Sequence, residues 1–137
     1  MISSKSWIAL LFLSFTACGH WASYYDLTSY KNLTDLKAET AVFMDQLQKE
    51  ADQKALLPVL RELRLNTEKA YEYERGKSGN ANTIAQLEEI RAMIAGLADL
   101  LMKKDRLPPE YLEPKRAALA QAFDLAIQTE ASKLKEN

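Results

Sequence analysis

Residues able to do chemistry are few in this chain. It has one cysteine, Cys18, and one histidine, His20, so neither a nucleophile paired with an imidazole base nor a histidine cluster for a metal can be assembled in the folded region. Carboxylates are plentiful, among them Glu68, Glu72, Glu74, Glu88 and Glu89. No Glu-x-x-His unit accompanies them, and that is the unit with which helical bundles hold paired metals. They read as solvated helix charge. The triplet Gly76-Lys77-Ser78 ends like a phosphate loop, in which backbone amides and a lysine cradle phosphate oxygens. The full spacing requires glycine at position 71, where Tyr71 stands, and a preceding strand, where the pattern is helical. A helix end followed by a turn accounts for it better. No catalytic, cofactor-binding or metal-ligating residue is assigned, no cofactor is expected, and the expected role is not an enzyme's.

The context of Cys18 is more informative. Lys5 is followed by the apolar run from Trp7 to Phe15 and then by the small pair Thr16 and Ala17. A charged start, a short apolar middle and small residues before a cut site are the parts of a secretory signal. Nine apolar-run residues fall well short of the ~20 that a bilayer-spanning helix needs. Ordinary secretory cleavage, after Ala17 or Ala22, is one way to read this start. With cleavage just before Cys18, residues 1–18 resemble the bacterial lipoproteins processed by signal peptidase II, whose lipobox ends in small residues and a cysteine that receives a diacylglyceryl group. Phe15 departs from that pattern, which usually carries an aliphatic residue there. The resemblance implies that Cys18 is the lipidation site and that the membrane is a partner through it. It also implies a place in the cell envelope, on the outer membrane facing the periplasm, because no Asp follows the cysteine. It explains an odd cysteine in an exported chain.

Removing residues 1–17 leaves 120 residues, enough for one domain with a real core. The expected organisation is a signal peptide over 1–17, a lipid-attachment and membrane-proximal tether over 18–32, and a helical bundle over 33–137. The whole chain carries 18 basic and 19 acidic residues. No basic surplus is available for a nucleic-acid partner.

Apolar residues recur at three and four positions rather than two, in segments rich in Ala, Leu, Glu, Lys and Gln, which predicts helix throughout. Leu33, Leu36, Thr40, Phe43 and Leu47 mark a first helix from about 33 to 53. Leu56 to Tyr71 continue the period across Pro58, which marks a kink or a fresh start. Gly76 is the expected left-handed cap of that segment. Thr83 and Gln86 have capping-box spacing for the next helix, along which Ile90 and Leu97 face inward. Pro108 and Pro109 separate it from the last, with a second possible start at Pro114. The fold class is all-α, a small antiparallel bundle of three to four helices with a break near Pro58. Phe43, Leu63, Ile90, Leu97 and Phe123 are the expected core.

Aromatic residues cluster beside the anchor. Trp21, Tyr24, Tyr25 and Tyr30 suit a bilayer's headgroup layer, since each ring has one polar edge; folding back over the bundle is the competing reading. Tyr71, Tyr73 and Tyr111 read as packing residues with wet hydroxyls. Asn32 or Thr34 reads as a helix cap. The function expected from these parts is a lipid-anchored, non-catalytic protein-interaction or structural module that contacts an unidentified envelope protein, with its oligomeric state open. The alternatives are a small-ligand carrier or helical enzyme, and a surface-exclusion or inhibitor lipoprotein. Converging polar groups in a pocket favour the carrier, and an exposed apolar patch favours protein contact.

Overall fold

The computed structural model describes residues 24–133. Four α-helices run through them: α1 (Leu27–Lys49), α2 (Leu57–Arg75), α3 (Ala81–Lys103) and α4 (Pro109–Ser132), with a short 3₁₀ turn over Gln53–Leu56. The fold is all-α. Helix α1 packs on α2 and α4, and α3 packs on the same two, which is the neighbour pattern of an up-down-up-down bundle.

Helix α1 begins six residues before the expected start. Asp26 adopts an extended backbone and its carboxylate accepts the Thr28 N–H at 2.8 Å, satisfying one of the unpaired donors of the first turn. Tyr30 and Asn32 therefore lie within α1 rather than in a tether, and Asn32 and Thr34 cap nothing. The Thr34 hydroxyl instead donates to the Lys31 carbonyl. The chain leaves α1 at Glu50 in extended conformation. Pro58 then occupies the first turn of α2, where its missing N–H costs no helical bond. The break near Pro58 is thus a fresh start and not a kink.

Other ends differ from expectation in instructive ways. Gly76 is right-handed at φ −71°, and the left-handed residue that turns the chain toward α3 is Gly79, at φ 70°. Thr83 and Gln86 form no capping box: Thr83 is buried, and the Gln86 amide donates to the Thr129 hydroxyl on α4. Pro109 opens α4, and Pro114 lies inside it rather than starting a new helix.

The five expected core residues, Phe43, Leu63, Ile90, Leu97 and Phe123, are all buried in one apolar cluster. Full burial of each is worth about 1.5–3 kcal/mol. At the end where α1 leads to α2 and α3 to α4, the core is closed by Gln53. Its buried amide donates to the carbonyls of Leu47 (2.9 Å) and Leu107 (3.2 Å), and its oxygen accepts the Leu107 N–H (2.6 Å). One neutral side chain thus joins the two connectors. Among the described residues no helix is long and apolar enough to cross a membrane.

Candidate functional site

The opposite end of the bundle holds the densest polar chemistry. Glu74 closes the apolar stripe of α2 and Glu130 that of α4, and they are 1% and 0% exposed. Both carboxylates sit in the last turn of a helix, where the backbone dipole disfavours negative charge. Each is answered by a lysine three residues on. Lys77 Nζ lies 3.3 Å from Glu74, and Lys133 Nζ lies 2.5 Å from Glu130.

The remaining partners come from the starts of α1 and α3. Lys77 also donates to the Ser29 hydroxyl at 2.7 Å and lies 3.3 Å from the Asp26 carboxylate, so its three protons have three acceptors. Lys133 donates to the Asn80 side-chain oxygen at 2.7 Å and approaches Thr83 at 3.4 Å. Two cross-links close the circuit: the Asn80 amide donates to Glu74, and the Asp26 N–H donates to Glu130 at 2.9 Å. The circuit runs Asp26, Lys77, Glu74, Asn80, Lys133, Glu130 and back to Asp26, touching all four helices.

The ring has approximate two-fold character. Asp26 and Ser29 in the first hairpin correspond to Asn80 and Thr83 in the second, and Glu74 and Lys77 correspond to Glu130 and Lys133. Pro58 and Pro114 each lie sixteen positions before the buried acid of their helix, although Pro58 is in the first turn of α2 and Pro114 is inside α4, and Leu33 and Leu36 match Leu87 and Ile90. The described chain is therefore built as two similar helical hairpins facing each other.

Ionisation follows the pairing. Burial opposes the charge of Asp26, but the Tyr73 hydroxyl (2.7 Å), the Thr28 N–H and Lys77 outweigh it, holding the carboxyl at about 2 against 3.8 ordinarily. Burial likewise works against the charge of Lys77, and Glu74, Glu130 and Asp26 overcome it, so its ammonium titrates above the usual lysine value. Tyr73 is raised by its bond to Asp26. Acids tied this tightly to lysines and amides hold helix ends together. No group of three or more His, Cys, Asp or Glu arranged to hold a metal occurs among the described residues.

The sequence-assigned residues fall apart spatially. Cys18 and Trp21 lie outside the described residues, as does His20. Tyr24 points outward, 77% exposed. Tyr25 and Tyr30 are half-buried with rings 6.2 Å apart. Tyr71 packs beneath the Arg91 guanidinium at 3.9 Å, while Tyr73, expected to keep a wet hydroxyl, commits it to Asp26.

Glu74 was expected among solvated helix charges and is buried instead, and Glu130 and Lys77 went unassigned. A usable signal exists. Leu63, Thr67, Ala70 and Glu74 share one helical stripe, as do Leu119, Phe123, Ala126 and Glu130; an acid on an apolar stripe with lysine three positions later marks a buried pair.

A space of about 410 Å³ between α1 and α2 reaches the ring at Tyr73 and is lined by Asn32, Asp35, Glu39, Asn66 and Lys69. A cavity of about 170 Å³ between α1 and α4 is lined by Thr40, Met44, Leu119 and Phe123. A groove of about 310 Å³ between α1 and α2 runs over Phe43 and Leu63, flanked by exposed Val42 and Val59. Comparison with protein-family models, with curated proteins and with solved structures finds no match to this chain.

Proposed function

We propose that this chain is a lipid-anchored lipoprotein of the bacterial envelope, attached through Cys18 to the outer membrane and facing the periplasm, where it acts as a non-catalytic protein-contact or structural module. The observation that carries this reading is the run of Lys5, Trp7 to Phe15, Thr16 and Ala17 that ends on the chain's only cysteine. Two structural features support it. The first helix starts nine residues after Cys18, so an anchor there keeps the bundle close to the bilayer. The charged groups of the ring are engaged with one another and tie the ends of all four helices together.

Two of the spaces between helices are mainly apolar and suit contact better than ligand carriage. Small-molecule pockets usually enclose about 300–1,000 Å³ with a few convergent polar groups. The α1–α4 cavity is smaller and mainly apolar. The α1–α2 groove is open, with Val42 and Val59 on its rims, which suits a protein side chain better than an enclosed ligand. Two or three acyl chains on Cys18 give durable attachment, since each buried methylene adds about 0.8 kcal/mol.

The test is Cys18→Ala in cells. The protein is expected to leave the membrane fraction or to remain uncleaved, with intact mass lacking the diacylglyceryl group. Unchanged fractionation of the variant, together with a parent chain whose intact mass carries no diacylglyceryl group, sinks the proposal.

A further inference from the structure

We infer that the outer face of the second hairpin, between α3 and α4, is where a second copy of this chain docks, the two copies lying antiparallel about a two-fold axis. This goes beyond the anchor reading and holds with or without it. The internal repeat singles the face out. Glu39, Gln46, Glu62 and Asn66 line the outer groove of the first hairpin, and the equivalent positions of the second hold Met93, Leu100, Ala118 and Ala122. Polar groups on one hairpin are thus matched by apolar ones on the other. The α1–α2 side does expose Val42 and Val59, but those four polar side chains surround them, with Glu39 bonded to Asn66. The α1–α4 and α2–α3 faces carry ion pairs across their helices; among the described residues none crosses from α3 to α4. Gly96 is an independent mark. It stands in mid-helix where the first hairpin has Val42, glycine weakens a helix relative to alanine, and a Cβ there would meet nothing within 4 Å. The packing of the bundle leaves that place open, and a glycine there lets another backbone come close.

The face is complementary to itself. The Gln86–Thr129 hydrogen bond sets the register of α3 against α4. Met93 is then level with Ala122 and Leu100 with Lys115, while Gly96 lies beside Ala118 and Glu89 beside Leu125. Small residues form the middle and charges the ends, with Glu89 toward the ring and Lys115 and Lys103 toward the far end. Among the described residues neither Glu89 nor Lys115 forms an ion pair; Lys115 rests over the Tyr111 ring. They lie about 16 Å apart along the helices, too far to meet within one copy. A second copy turned end for end brings each Glu89 level with the partner's Lys115, twice, and sets Leu125 beside the partner's Leu100, as an isologous contact requires. Parallel docking leaves both charges unanswered. Such charges at an interface rim fix orientation more than affinity. The face is about 27 Å long and about 20 Å wide, on the order of 500 Å² per copy, which is the size of a weak and reversible interface.

Photo-crosslinking of the full chain in cells tests this. Benzoylphenylalanine is placed at position 125 on the face or at position 42 on the other hairpin, both exposed sites. Irradiation is expected to give an adduct of twice the chain's mass severalfold more from 125 than from 42, linked near the partner's Leu100. Glu89→Lys and Lys115→Glu should each lower that adduct severalfold, and the two together should restore it. Gly96→Leu should lower it as well, with thermal unfolding of the purified variant unchanged because the bundle leaves room there. No adduct at 125, equal adducts from 125 and 42, a link confined to one chain, or a link to a different protein overturns the inference. A link mapped to the partner's Glu89 makes the copies parallel and overturns it too. Single reversals without effect, or a double reversal that restores nothing, do the same. All of these outcomes leave the Cys18 anchor untouched.

Discussion

The two ends of this bundle solve one problem with opposite chemistry. At each end two helices stop and two start, leaving backbone donors and acceptors to be satisfied and the core to be closed. At the far end the buried link is one neutral amide, Gln53, which bonds both connectors, with the exposed Lys54–Asp105 pair joining them outside it. At the near end a ring of three acids, two lysines and an asparagine links all four helices. A neutral amide costs little to bury once bonded, whereas buried ions need partners in place to offset desolvation. The near end is therefore the one whose geometry is set by all members at once. It is also the end at which the chain arrives from Cys18.

The sharpest way to break the comparison is to remove one ion from the ring. Glu130→Ala leaves Lys133 short of its carboxylate and the Asp26 N–H without its acceptor, and loss of one partner of a buried pair costs about 3–5 kcal/mol. The expected result in urea is a large fall in the unfolding midpoint with little change in slope. Gln53→Ala at the other end leaves the buried Leu107 N–H unpaired, a loss of about 2 kcal/mol. Its local signature is faster hydrogen exchange at the Leu107 amide. Equal losses from the two substitutions would mean that the ring is no more demanding than the amide clip.

How much of this was legible depends on which residues carry the signal. Helices and core were readable because Phe43, Ile90, Leu97 and Phe123 repeat with helical period, and burial of large apolar groups is what that period reports. The start of α1 was not, because its inward residue there is Ser29, which is buried yet carries no hydrophobic mark. The same blindness hid the ring, since a stripe search stops counting when it meets Glu74 or Glu130. Gly76 misled because glycine permits a left-handed cap without requiring one, and Gly79 took that conformation instead. The matching of Glu74 and Lys77 with Glu130 and Lys133, and of Pro58 with Pro114, was present in the letters alone. A search for internal repeats would have placed both acids at equivalent helix ends and pointed to a shared site.

The smallest expected effect separates the two ends by pH. At the far end Gln53 does not titrate and the Asp105 carboxyl, lowered by Lys54, is fully exposed, while at the near end the partly buried Asp26 holds its carboxyl at about 2 against 3.8. A carboxyl with a depressed folded value contributes stability that is complete above the unfolded value and is lost as pH falls through the folded one. The Asp26 side chain keeps 24% of its exposure, so solvent screening reduces the contribution to about 1 kcal/mol. Acidification from 3.8 toward about 2 is therefore expected to loosen the start of α1 first. Hydrogen exchange at the Thr28 amide, which the carboxylate caps, should rise while the Leu107 amide stays protected. Asp26→Asn keeps an acceptor for Thr28 but removes the charge, and should flatten that part of the stability curve relative to the parent chain. If the two amides lose protection at the same pH in both proteins, the ends open as one cooperative unit and the chemical contrast between them has no local consequence.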